Sequence, residues 1–242
     1  MQGEGSPDVV FLSYEEANAE ENFARLLEFA PRAKRVHGVE GIFHAYRQAL
    51  SRVSTPRFFV VDGDNWILDG FVFRAPPQRE AAEVYLWRAR NPVNGLELFN
   101  GALKLVTRDA ILSMDKDAVD LSNSMKATRR LVNRVATETR FNTTPFLAWR
   151  CGFRECAKFA SGVLRNPSVP VVQIWQTVGA ETRNGKWCML GARMGGEYGR
   201  RFAGTNKLRF INDMAWMKNA FEKVERSSKA IELAMASKSG AK

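Results

Sequence analysis

Over the first sixty positions, apolar residues fall into short runs broken by polar, turn-forming stretches. DVVFLSY (8–14) follows Pro7 and reads as a short buried strand. In NAEENFARLLEFA, Phe23, Leu26, Leu27 and Ala30 recur at helical spacing until Pro31 ends the pattern. AKRVHG predicts a second short strand, and GIFHAYRQALSRV places Ile42, Tyr46, Ala49 and Val53 on one helical stripe. RFFVV (57–61) is apolar on both faces, the mark of a central strand in a parallel sheet. Strand, helix, strand, helix, strand predicts an α/β layer architecture. Ligands in such sheets sit at the carboxyl ends of the strands, where Ser13, Tyr14, His37 and Asp62 fall.

After Asp64 the pattern changes. WILDGFVF (66–73) and EVYLWRAR (83–90) predict strands separated by the turn-like RAPPQREA. KLVT predicts a further short strand, with a helix from about Arg108. Beyond residue 120 the chain is expected to be mostly helical. PFLAWRCGFRECAKFASGVL, opened by Pro145, and NDMAWMKNAFEKVERSSKAIELAMA are amphipathic helix candidates, and the end SKSGAK is expected to fray. This divides the chain into an α/β part, 1–115, and a mostly helical part, 116–242, within one continuous globular unit.

Composition narrows the class. No apolar run approaches the roughly 20 residues of a membrane span, and the start, MQGEGSPDVV, shows no secretory leader pattern. Cys151, Cys156 and Cys188 are an odd count without zinc spacing, which suits free thiols in a reducing cytoplasm, the host's if the gene is a phage's. Residues 1–100 hold 11 Lys/Arg and 14 Asp/Glu, a net of −3; residues 101–242 hold 25 and 12, a net of +13. A basic second half suggests a polyanionic partner; the plain alternative is a set of solvated helix faces.

Asp62-Gly63-Asp64 ends the RFFVV run. Asp-Gly is a common turn sequence, but two carboxylates crowded at a strand end call for a compensating cation or solvent. Oxygen ligands at i and i+2 suit Mg²⁺ or Mn²⁺, with phosphates and water completing the octahedron. The spacing does not fit an EF-hand. Further on, Trp87, Arg88, Arg90, Asn91, Asn94, Asn100 and Lys104 gather many donors in a turn-rich stretch. Candidate acids or bases are Asp117, Asp120 and Glu138, each also readable as a helix cap or surface charge. Arg130 and Arg134, like Arg150 and Arg154, would share a helix face, a like-charge arrangement best tolerated opposite an anion. GARMGGEYGRRFAGTNK, with five glycines, Arg193, Arg200, Arg201 and Lys207, could form a mobile lid over phosphates.

In their order, VVFLSYEEAN, RVHGVEGIFHAYRQAL and STPRFFVVDGDN resemble the opening segments of GT-A fold glycosyltransferases, over about the first 110 residues. The resemblance implies a Rossmann-like mixed sheet flanked by helices, with a mostly helical basic C-terminal part. It implies a divalent cation, Mn²⁺ or Mg²⁺, and a nucleoside-diphosphate sugar, with a UDP-sugar expected. Asp64 would ligate the metal and Asp62 the ribose or the metal. Ser13 and Tyr14 would face the base, and Arg35, His44 or Arg47 the base or diphosphate. FNGALKLVTRDAI is similar to the loop, strand and helix that wall the acceptor side, so Trp87, Arg90, Asn91, Asn100 and Lys104 become acceptor contacts. An acid after this loop, Asp120 in the first place or Glu138, would be the base. A late histidine ligand is usual in the fold; the only histidines here are His37 and His44, so that ligand stays unassigned.

More narrowly, the Trp-Arg…Arg-Asn-Pro run resembles a phage and microbial group. Its members glycosylate hydroxymethylated pyrimidines in DNA and occur beside TET/JBP-type base hydroxylases. The resemblance implies a hexosyl- or pentosyltransferase acting on DNA that carries 5-hydroxymethylcytosine or its uracil counterpart. The alternatives are a transferase on a protein, glycan or small-molecule acceptor, and a non-enzymatic nucleic-acid-binding protein; a nucleotidyltransferase is a lesser option.

Overall fold

The structure is a computed structural model describing residues 6–120, 124–164 and 170–239, with side chains as far as residue 227. The chain forms two compact units, 1–144 and 145–242. Among the described residues no helix is long and apolar enough to cross a membrane.

The first unit opens with β1 (Asp8–Ser13), α1 (Ala19–Phe29), β2 (Lys34–His37), α2 (Ile42–Arg52) and β3 (Arg57–Asp62). It continues with β4 (Asn65–Ile67), β5 (Glu83–Arg90), β6 (Glu97–Leu98), β7 (Leu103–Thr107), α3 (Arg108–Leu112) and β8 (Thr128–Thr139). The strands form one mixed sheet in the order β2-β1-β3-β7-β5-β8-β4, with β6 on β5. β2, β1 and β3 are parallel; β7 runs antiparallel to β3. This is the Rossmann-like α/β class the pattern implied.

β1 and β3 are apolar on both faces because both faces are covered. Val10, Leu12, Phe58 and Val60 pack with Ala45, Tyr46, Ala49 and Leu50 of α2. The alternate residues, Val9, Phe11, Phe59 and Val61, pack with Leu26 of α1. Ile42, placed on the buried stripe from sequence, is 48% exposed in the first turn of α2.

Asp8 fastens this layer at the start of β1. Its carboxylate takes the Lys34 ammonium at 2.7 Å and the amides of Ser54 and Thr55 at 2.7 and 3.1 Å. Burial pushes its pKa up, but Lys34 and the two amides outweigh that and hold it well below the usual carboxylate range. The folded value lies below the unfolded one, so this stabilisation is complete above about pH 4 and is lost as pH falls toward the folded value. Asp8→Asn is expected to cost about 1–2 kcal/mol at pH 7 and to flatten the acid limb of a stability–pH profile measured by urea titration.

Three expectations are corrected. WILDGFVF is a strand only over Asn65–Ile67, because a turn with Gly70 at φ 74° breaks it; Phe71 and Phe73 still pack inward, against Trp87 and Phe59. Residues 128–139, assigned to the helical part, form strand β8 beside β5. The β-branched residues Thr128, Val132, Val135, Thr137 and Thr139 favour that outcome. Arg130 therefore faces Glu83 at 3.0 Å and Glu80 at 2.9 Å, and Arg134 donates to the Gly70 carbonyl oxygen.

The third correction concerns the glycine-rich stretch. The second unit holds α4 (Pro145–Ala160), α5 (Val171–Thr177), α6 (Gly185–Phe202), a 3-10 helix (Asn206–Asn212) and α7 (Met214–Ser239). Residues 191–202, expected as a lid, are the middle and end of α6. Gly191, Gly195 and Gly199 recur every fourth residue, so they line one helix face. A Cβ on them would lie 2.0, 2.0 and 2.3 Å from the carbonyl oxygens of Trp149, Phe153 and Ala157 of α4. The spacing serves close helix packing. Of the expected frayed end, residues 240–242 lie outside the described residues.

Candidate functional site

The chain runs from β1 to β2 on one side and returns through α2 to β3 on the other. The carboxyl ends of β1 and β3 therefore flank a topological switch point, where open α/β sheets bind ligands. Leu12 lies opposite Asp62 in the register, so Ser13 and the Asp62-Gly63-Asp64 turn meet there.

The turn is held from several elements. The Asp62 N–H donates to Ala102 O at 3.0 Å, and the Arg140 N–H donates to Asp64 O at 2.6 Å. Asn22 of α1, fully buried, donates from Nδ2 to Gly63 O at 2.9 Å. Asn65 Nδ2 donates to Asp64 Oδ1 at 2.7 Å. Gly63 is required by close approach, since a Cβ would sit 2.7 Å from Glu16 Oε2 and 2.9 Å from Ser13 Cβ. Glu16 in turn accepts from the Tyr14 N–H at 2.6 Å. Asn22→Ala is expected to lower stability by about 1–2 kcal/mol in urea denaturation, since it frees a buried carbonyl of this turn.

The two aspartates differ. Asp62 Oδ1 receives the Lys104 ammonium at 2.9 Å. Lys104 is 0% exposed, and its Nζ lies 5.2 Å from the Tyr46 ring. Burial, with the Asp62 charge behind it, pushes the Tyr46 hydroxyl well above its ordinary pKa, so it stays protonated. Asp64 lies beyond the strand end, in the turn.

The other residues expected at the donor divide as follows. Ser13 Oγ contacts His37 Nδ1 at 2.9 Å and accepts from Arg35 Nε at 3.0 Å; Arg35 also pairs with Glu20 at 2.7 Å. Tyr14 follows Ser13 and is half-buried. His44 and Arg47 are exposed on the first two turns of α2, which begins just beyond the carboxyl end of β2.

Of the acceptor candidates, Trp87 is buried against Phe59 and Phe71. Arg90 pairs with Glu97 at 3.3 Å. Asn91 is buried and its Oδ1 accepts from the Val93 N–H at 2.8 Å. Lys104 lies beneath Asp62. Asn100 joins the turn through side chains: its Nδ2 donates to Thr139 Oγ1 at 3.1 Å, and Thr139 donates to Asn65 Oδ1 at 2.8 Å. Asn65 reaches Asp64, so Asn100 belongs to the support of the aspartate turn.

Glu138 is the candidate base brought near the pair. It lies opposite Trp66, two residues after Asp64, and its Oε1 is 3.3 Å from Nε of Arg140. Asp117 and Asp120 fall in the connection from α3 to β8. That connection is anchored at the other end of the sheet, where Arg108 N–H meets Pro56 O and Thr128 N–H meets Ala82 O, both at 3.0 Å.

Asn22, Glu16, Asn65 and Arg140 were not placed at this turn from sequence. Asn65 follows it directly; the other three reach it through the fold.

Among the described residues no group of three or more His, Cys, Asp or Glu side chains could hold a metal ion. The donor set therefore does not suit a cation held by protein alone. It would suit one held by one or two carboxylates and completed by phosphate oxygens; of the two, Asp62 faces Lys104.

The charge follows the two units. Residues 1–144 carry 19 Lys/Arg and 19 Asp/Glu; residues 145–242 carry 17 and 7, so the chain's whole net +10 lies in the helical unit.

No protein-family model matches the chain, and no curated protein matches it. Among solved structures, it is similar to a glycosyltransferase involved in the glycosylation of the major capsid of PBCV-1, at 16% identity and a TM-score of 0.33. The similar region covers 44% of this chain and 63% of that one, a likeness too loose to bear on activity.

Proposed function

We propose that this chain is a glycosyltransferase that moves a sugar from a nucleoside-diphosphate sugar to the hydroxymethyl group of a 5-hydroxymethylpyrimidine in DNA. The observation that carries the reading is the Asp62-Gly63-Asp64 turn, held from α1, β7 and the end of β8 at the β1/β3 switch point. Ser13, Tyr14, His44 and Arg47 lie at the same end of the sheet as candidate nucleotide contacts. Asp64 and Asp62 would hold a divalent cation, which would supply positive charge for the departing diphosphate.

In the transfer, the hydroxymethyl oxygen forms a bond to the anomeric carbon, the bond from that carbon to the diphosphate oxygen breaks, and the nucleoside diphosphate leaves. For an inverting course, Glu138 takes the hydroxyl proton. Asp64 orients the diphosphate end of the donor; Lys104 holds Asp62 in place. The +10 helical unit supports a polyanionic acceptor. If the base lies in a duplex, it is extruded for reaction.

The test is incubation of hydroxymethylated and unmodified DNA with a panel of sugar nucleotides and Mn²⁺ or Mg²⁺, followed by nucleoside mass spectrometry. A hexose or pentose increment on hydroxymethylated nucleosides alone is expected. No increment with any donor would refute the DNA acceptor.

A further inference from the structure

We infer that the cleft between α6 and α7 binds an unpaired base of single-stranded nucleic acid. The inference rests on the reading of the helical unit as the nucleic-acid-binding part, and it names a site within that unit.

The cleft is a cavity of about 510 Å³, lined among others by Phe153, Tyr198, Phe202 and Trp216, with Arg201 and Lys223. A volume of this size lies in the range of small-molecule sites. Its aromatic side chains form one continuous set: Tyr198 lies 4.6 Å from Phe202 and 5.4 Å from both Phe153 and Trp216, between ring centroids. Phe210, 42% exposed, lies over Trp216 at 5.9 Å with an interplanar angle of 15°.

Two cations lie over the Phe202 ring. The Arg201 guanidinium is 5.3 Å from the Phe202 ring, and Lys207 Nζ is 5.4 Å from the same ring. Glu197 also lines the cleft. A carboxylate disfavours a phosphate at that point but accepts from an exocyclic amino group of a base. Aromatic rings with cations among them, on a unit of net +10, are the features that single-strand binders combine. An acidic peptide would use the cations but leave the ring faces without flat partners.

The test is fluorescence anisotropy of a labelled oligodeoxycytidylate with the full chain, in EDTA and without sugar nucleotide. Heparin serves as a polyanion without bases. The oligonucleotide is expected to bind with steep salt dependence and to quench tryptophan fluorescence. Phe202→Leu and Trp216→Leu keep apolar bulk but remove the ring; each is expected to weaken oligonucleotide binding about tenfold and heparin binding less than twofold. Phe202→Tyr should restore affinity. Arg201→Glu should weaken both ligands and lower the salt slope. Equal losses for oligonucleotide and heparin in the leucine variants would overturn the site. So would unchanged oligonucleotide affinity, or tighter binding to phosphatidylserine vesicles than to the oligonucleotide. Because donor and metal are absent, a failed transfer assay leaves this result unaffected, and loss of the cleft leaves donor binding intact.

Discussion

Asp62→Ala is expected to destabilise the fold by about 3 kcal/mol, and Asp64→Ala by no more than about 1. The two carboxylates sit two residues apart but have different partners. Asp62 is the counter-charge of Lys104, which has no exposed surface. Truncating it leaves an ammonium buried without its carboxylate, a change that costs about 3–5 kcal/mol where both groups are buried. Because the Asp62 side chain is 34% exposed, the lower end applies. Around Asp64 the Arg140 N–H and the Gly63 carbonyl are backbone contacts that alanine keeps, and the change removes the carboxylate that accepts from Asn65 Nδ2 at 2.7 Å. Urea denaturation of the two variants reads the difference. Adding Lys104→Met to Asp62→Ala should recover most of the loss, because the stranded charge is gone. In a transfer assay the order reverses in kind: Asp64→Ala should lower turnover about 10²–10³-fold while leaving a stable protein. Equal stability losses for the two aspartates would mean that Lys104 does not depend on Asp62.

Gly195→Ala is expected to cost about 3 kcal/mol or more, whereas Gly196→Ala should be close to neutral. At Gly195 the new methyl would lie 2.0 Å from the Phe153 carbonyl oxygen, which belongs to a helix backbone. The helices would have to separate, and Gly191 and Gly199 sit on the same seam, so the contacts there loosen together. At Gly196 the nearest atom is Gln176 Nε2 at 2.9 Å, the end of a flexible side chain, with Arg200 NH1 next at 3.6 Å. There alanine's better helix propensity, worth up to about 1 kcal/mol, offsets a small side-chain shift. Melting of the two variants distinguishes a packing seam from a generic glycine effect; a parallel loss at both positions would contradict the seam.

What could be read in the sequence was what local pattern encodes. β1, α1, β2, α2 and β3 follow from apolar periodicity, and two-sided apolar strands marked the sheet centre. The place of Asp62 and Asp64 at a strand end was legible for the same reason. β8 was missed because three of its residues are arginines, and its stability comes from pairing with β5 and from Glu83, distant in sequence. The glycine-rich stretch read as a lid because a glycine at every fourth position carries meaning only once α4 is known to lie against it. Lys104 read as a surface donor because nothing local shows that it pairs with Val60 of β3 and that Tyr46 covers it. The candidate site was thus legible in its two acids and not in its supports, Asn22, Thr139 and Arg140, which converge through tertiary contact.

The most direct measurement is titration calorimetry of a nucleoside diphosphate, UDP first, with Mn²⁺ present or absent, on the wild-type chain and on Asp64→Ala. Metal-dependent binding to the wild type, with affinity reduced at least about tenfold in Asp64→Ala, is the result the donor site predicts. Absence of binding by UDP and the other nucleoside diphosphates, or equal metal-dependent affinity in Asp64→Ala, would contradict it.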